Sequence, residues 1–199
     1  MNKYNSHYII EGLEKFQPTK LSALLHLESG FFSLYKYLFR VGRKESEPLE
    51  KDITKSLVFC DTIIENTLKH NASFYNDGFL MYKSVLTDEQ LLQQYLCDWK
   101  DKIQQHNIFK ENKAIQHFIT TITAYYCRYT KKQEEMKILQ EEDIELFISK
   151  ATKGKEFLEI RIKSLKNILE KELESETKKA NQGIAYQEYV DINNKLNKK

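Results

Sequence analysis

Five histidines and three cysteines are the side chains of this chain best suited to acid–base, nucleophilic or metal chemistry, and their spacing gives them little to work with. His26 stands two residues before Glu28. Positions i and i+2 fall on different sides of a helix, so that carboxylate cannot orient the imidazole as a general base. His26 reads as a core or boundary histidine. His117 and Cys127 lie ten residues apart on one helical run. At 3.6 residues per turn they are about 80° out of alignment, which argues against a Cys–His nucleophile. No Glu stands three residues before any histidine, so the Glu-x-x-His pattern of di-iron bundles is missing, and no HExxH occurs. Neither GxGxxG nor GxxxxGK is present to cradle a phosphate. Asn76-Asp77-Gly78 lacks the upstream acidic residues of a calcium loop. The arginines are Arg40, Arg43, Arg128 and Arg161, and none leads to a nearby His as in HEPN-type helical ribonucleases. The expectation is a protein with no catalytic residue, no metal ligand set and no cofactor.

Two segments of another kind stand out. Tyr35-Lys36-Tyr37-Leu38-Phe39-Arg40-Val41-Gly42-Arg43-Lys44 and Tyr125-Tyr126-Cys127-Arg128-Tyr129-Thr130-Lys131-Lys132 each set aromatics beside a basic cluster at the end of a helix. Guanidinium and ammonium groups neutralise phosphates, and exposed tyrosines stack on bases. The alternative is structural: aromatics in the core, and cations solvated at a helix C-terminus whose dipole suits them.

Composition limits the field. Lys and Arg total 31 against 29 Asp and Glu, a net charge of +2, so no global field pulls the surface onto nucleic acid or membrane. Any binding must come from local patches. With 41% hydrophobic residues, including 12 Tyr and 11 Phe, the chain can bury a core. Cys60, Cys97 and Cys127 form no CxxC pair and no disulfide framework, which suits a reducing cytoplasm. The opening residues carry no signal-peptide h-region. The most apolar stretch, Leu21 to Phe39, is interrupted by His26, Glu28 and Lys36, so it reads as a buried helix and not a membrane span. The expectation is a cytoplasmic protein with no membrane partner.

The elements follow from the scarcity of chain breakers. There are 6 Gly and 2 Pro in 199 residues, and long runs keep a 3.6-residue period. The pattern predicts an all-α multi-helix bundle of about seven to eight helices. A first helix is expected from about Lys3 to Phe16. A second starts near Pro18 and ends at Val41-Gly42. Ser46-Glu47-Pro48 reads as an N-cap with Pro in the first turn of a third helix that runs to about His70. Asn76-Asp77-Gly78 marks a turn, and Thr87-Asp88-Glu89-Gln90 a capping box before a helix with Leu91, Leu92, Tyr95, Leu96 and Trp99. A break at His106-Asn107 suggests a boundary between 1–106 and 107–199, though one domain would also fit. Ala114 to Tyr129 is the next helix. Glu141 to Ala151 reads as a short helix before Gly154. Leu158, Ile162, Leu165, Leu169 and Leu173 then form an amphipathic stripe, flanked by Glu159/Lys163 and Glu174/Lys178 pairs. That stripe faces its own core or forms a homodimer. The tail from about Asn181 reads as frayed.

Phe157-Leu158-Glu159-Ile160-Arg161-Ile162-Lys163, with Leu169 and Leu173 behind it, resembles the C-terminal helix motif of the RteC family of conjugative-transposon regulators. Phe16-Gln17-Pro18-Thr19-Lys20-Leu21-Ser22, Phe74-Tyr75, Tyr82-Lys83-Ser84 and Thr87-Asp88-Glu89 resemble it too, in the family's order. The resemblance implies a helical N-terminal part, a small winged-helix-like C-terminal part, and DNA binding in a bacterial mobile element or phage. Ser164, Leu165 and Asn167 stand where that family carries more basic residues. The functional expectation is a non-enzymatic nucleic-acid-binding regulator, with Arg40, Arg43, Lys44, Arg128, Lys131, Lys132, Arg161 and Lys163 on phosphates. The alternative is a helical protein–protein interaction module, such as an adaptor, inhibitor or immunity protein.

Overall fold

A computed structural model describes residues 8–25, 27–44, 47–68, 89–129 and 141–196, with backbone alone at 66, 67, 89, 141–151, 185, 186 and 188–196. Among these residues the secondary structure is helical, with no strand. Six α-helices are present: α1 Pro18–Leu25, α2 Ser29–Arg40, α3 Leu49–Thr62, α4 Glu89–Gln105, α5 Lys113–Tyr129 and α6 Glu141–Leu196. A 3₁₀ turn, Glu14–Phe16, precedes α1, and a π-type turn, Ile63–Leu68, continues α3.

α2 is the central rod. Phe31, Leu34, Tyr35, Leu38 and Phe39 are buried on it, so apolar residues occupy more than one side and neighbours are drawn to each. α3 packs on one flank and α5 on another. α5 begins where the Asn112 side chain accepts the Ile115 N–H at 3.0 Å. Apolar residues from both sides of His106 share one cluster, from Ile10 and Leu13 through Trp99 and Ile103 to Phe118, Leu158 and Leu169.

The Leu158, Ile162, Leu165 and Leu169 stripe is fully buried within this chain and Leu173 packs at its edge, so the stripe is core and not a dimer face. The α6 segment that carries it lies on α3 and α5. Glu159 and Lys163 pair on the wet side at 2.7 Å, as their spacing predicts.

Several expected boundaries move. Over residues 9–16 there is only the 3₁₀ turn and not an α-helix, because Gly12 takes a left-handed φ of 78° that a helix cannot continue through. The run from Pro18 to Arg40 is two helices. Glu28 caps the second, its carboxylate accepting the Gly30 N–H at 2.7 Å. Pro48 is extended and stands just before α3 rather than in its first turn.

Gly154 does not break the last helix. α6 runs through it unbroken, because Tyr125 and Tyr129 press on that spot: a Cβ there would lie 3.1 Å from atoms of each. The tail is helical to Leu196 instead of fraying at Asn181. Lys3 to His7, His26, Ser46, His70, the Asn76-Asp77-Gly78 turn and the Thr87-Asp88 half of the capping box lie outside the described residues.

α6 is 56 residues long, about 84 Å at 1.5 Å per residue, and its Leu158–Leu169 stretch is built into the core. Leu165 is fully buried, whereas Ile184 is 59% exposed. Leu165→Ala should therefore cost about 2–5 kcal/mol in urea denaturation. Ile184→Ala should stay within about 0.5 kcal/mol of wild type, and an equal loss at both positions would contradict the packing described.

Candidate functional site

The chemistry-bearing residues of this fold gather where α2 ends and α3 begins. α2 buries Tyr35, Leu38 and Phe39, which leaves Lys36, Tyr37 and Arg40 on the flank that meets α3. Arg40 is 7% exposed and Asp52 is 2% exposed. Arg40 donates to Asp52 Oδ1 from Nε at 2.9 Å and from Nη2 at 2.5 Å. Burial works to lower the Arg40 pKa, but the Asp52 hydrogen bond and charge outweigh it and hold the guanidinium charged. Tyr8 also bonds to Arg40, and burial raises the Tyr8 phenol.

Glu47, just ahead of α3, is the second anchor. Its Oε1 takes the Lys44 ammonium, and its Oε2 lies 3.5 Å from Arg40 Nη2, 3.4 Å from Lys51 Nζ and 3.6 Å from Lys55 Nζ. The Lys44 hydrogen bond, opposed by burial and then reinforced by the charges of Lys44, Lys51 and Lys55, holds the Glu47 carboxyl down at about 2. Beside it the Tyr37 ring carries three cations near 5 Å: Lys36 and Arg40 at 4.7 Å and Lys55 at 5.2 Å. Tyr37 stacks on Phe59 of α3, centroids 5.6 Å apart.

The residues expected to bind nucleic acid fare differently. Arg40 is committed to Asp52. Arg43 is half-buried, its Nη2 donating to the Ile9 carbonyl at 3.2 Å and its guanidinium 5.9 Å from the Phe39 ring centre. Burial lowers its pKa. Lys44 is on Glu47, and Lys163 is on Glu159. Arg161 turns inward, donating from Nε to Thr121 Oγ1 at 3.1 Å. Its carbonyl meets the His117 ring at 2.9 Å, and burial keeps that imidazole below its ordinary pKa. Arg128 is exposed at the end of α5, while Lys131 and Lys132 lie outside the described residues. Cys127 is exposed, and Cys60 is buried with its thiol pushed up to about 12 by burial.

Arg40–Lys44 and Arg128 do not share a surface. Phe39, near the end of α2, meets Phe109 just before α5, and Tyr35 stacks on Phe118. The Tyr126 hydroxyl, near the end of α5, donates to the Leu25 carbonyl just before α2. α2 and α5 are therefore antiparallel, and Arg40–Lys44 and Arg128 sit at opposite ends of the pair. The 12 residues of α2 alone separate them by about 18 Å.

Sequence reading missed Lys36, Tyr37, Glu47, Lys51, Asp52 and Lys55 as one group. Lys51 and Lys55 are four apart on α3, a spacing visible in the sequence. What brings them to Glu47 and Tyr37 is the packing of α3 on α2, which no spacing encodes. Among the described residues no three His, Cys, Asp or Glu side chains could hold a metal ion, and no helix is long and apolar enough to cross a membrane. No family model, curated protein or solved structure matches the chain.

Glu47 sets a pH dependence. Its pKa lies below the ordinary 4.5 in the folded chain, so its contribution is complete above pH 4.5 and is lost as pH falls from there towards 2. Melting temperature should fall across that window in the wild type, and Glu47→Gln should flatten the fall. An identical slope in the variant would show that Glu47 is not held as described.

Proposed function

We propose that this protein is a non-enzymatic helical interaction module that engages another protein through the free end of α6, as an adaptor, inhibitor or immunity protein does. The observation that carries this reading is the exit of α6 from the core after Leu173. From Glu174 to Ile184 every residue but Glu176 is exposed. The 23 residues from Glu174 to Leu196 extend about 34 Å at 1.5 Å per residue. An isolated helix of that length is marginal in water, and the exposed stretch from Glu174 to Ile184 gains little from packing within this chain. A chain that keeps such a segment helical is suited to covering it with a partner. The sequence carries apolar residue types at Ile184, Tyr189, Ile192 and Leu196, the last three at spacings of 3 and 4.

Nucleic-acid binding of the kind the RteC resemblance implies draws less support. It calls for cations free to meet phosphates along one face. Here Arg40 and Arg161 are turned inward, Lys44 and Lys163 are paired, and Arg40–Lys44 and Arg128 lie at opposite ends of an antiparallel helix pair. A net charge of only +2 supplies no compensating field.

The test is a photo-crosslinking residue at position 184, with exposed position 110 as control, in cells that express the full chain. A discrete protein adduct from 184 and none from 110 is expected. In parallel, fluorescent duplex and single-stranded oligonucleotides are titrated at low salt. No adduct at 184, together with salt-sensitive oligonucleotide binding, would replace this reading with the nucleic-acid one.

A further inference from the structure

We propose a phosphate-monoester site at the α2–α3 junction, built from Lys44, Lys51 and Lys55 and occupied by the Glu47 side chain. It stands apart from the α6 reading, on other elements. The starting point is a charge imbalance in a half-buried place. Arg40 and Asp52 neutralise each other. Among the described residues, that leaves three ammonium groups converging on a single carboxylate. Repulsion among lysines this close is a standing cost unless an anion larger than a carboxylate answers it.

Geometry says the same. Glu47 has two oxygens for four cations. Oε2 is buried, forms no hydrogen bond, and sits 3.4–3.6 Å from Arg40, Lys51 and Lys55. Charge-assisted hydrogen bonds close to about 2.7–2.9 Å, so these donors hold Oε2 by charge alone. A phosphate monoester brings three oxygens and a charge of about −1.5 to −2, enough to give each lysine its own acceptor. The excess of two positive charges matches that dianion better than it matches a second carboxylate.

The site is reachable. The Lys51 side chain is half-exposed, and those of Lys44 and Lys55 are about a third exposed. Glu47 precedes Pro48 and the first turn of α3, so its side chain can rotate out without breaking a helical hydrogen bond. In this arrangement Glu47 acts as a built-in competitor that an incoming phosphate displaces.

The decisive measurement is chemical rescue in the full-length protein. Glu47→Gln should melt lower than wild type in chloride. Inorganic phosphate at equal ionic strength should restore it, with an apparent affinity about tenfold tighter than the wild type shows. Lys51→Gln combined with Lys55→Gln should abolish the phosphate response in either background. A Glu47→Gln protein that phosphate stabilises no more than chloride does, or a double lysine variant that keeps the response, overturns the proposal.

Should Glu47→Gln not fold, phosphorus line broadening of inorganic phosphate by the wild type decides the matter. Broadening lost in the double lysine variant is expected, and equal broadening by both proteins overturns the site. Glycerol phosphate and vesicles containing phosphatidic acid then separate the sources. Competition by the first assigns a soluble ester, and retention on the second assigns a lipid headgroup.

Discussion

The hydroxyl of Tyr35 is the joint on which this fold turns. It is fully buried, donates to the Phe16 carbonyl at 2.8 Å and accepts the Trp99 indole N–H at 3.2 Å. A polar group taken out of water needs a partner, and leaving either of these unpaired costs about 1–3 kcal/mol. The segment before α1, the central rod α2 and α4 are thereby fixed relative to one another. The same ring stacks on Phe118 and meets Trp99 edge-on, so one side chain sets both polar and apolar contacts. Tyr126, bonded to the Leu25 carbonyl, ties the end of α5 to the end of α1. These two buried tyrosines determine that α5 runs antiparallel to α2.

That antiparallel arrangement has functional weight. It sends the basic segment after α2 and the basic end of α5 to opposite poles. The cations then serve local duties, on a carboxylate, a backbone carbonyl or a threonine hydroxyl. Beyond Leu173, the side chains of α6 from Glu174 to Ile184 are exposed, all but Glu176. Core packing takes up the apolar stripe of α6 from Leu158 to Leu169, with Leu173 at its edge.

The buried Arg40–Asp52 pair fixes where α3 starts. Such a pair contributes little net stability, since desolvation offsets most of the attraction, but losing one partner strands a charge in the core. It therefore acts as a register pin. With Asp52 held under α2, Lys51 and Lys55 on adjacent turns of α3 are carried to Glu47 and to the Tyr37 ring. A crowd of lysines around one carboxylate results from that pin.

Helicity was legible in the sequence because it is a local property. Few glycines and prolines, a 3.6-residue period and the Leu158–Leu173 stripe each act within a turn or two of the chain. The stripe itself and the Glu159/Lys163 pair followed from the same spacing, while packing decided that the stripe faces this chain's own core. Helix ends were less legible, since Gly154 reads as a breaker until Tyr125 and Tyr129 are seen pressing on it. The candidate site was legible only in part: the segment from Lys36 to Lys44 stood out, but its partners Glu47, Asp52 and Lys55 did not. Arg40 and Asp52 are twelve residues apart, and Tyr35 and Trp99 are sixty-four apart. Which distant groups share a dry space depends on how whole helices stack, and stacking decides whether a cation faces solvent or a buried carboxylate. Residue order alone determined that this polypeptide is a set of amphipathic helices. Only their packing decided which charges are spent inside the molecule and which face solvent.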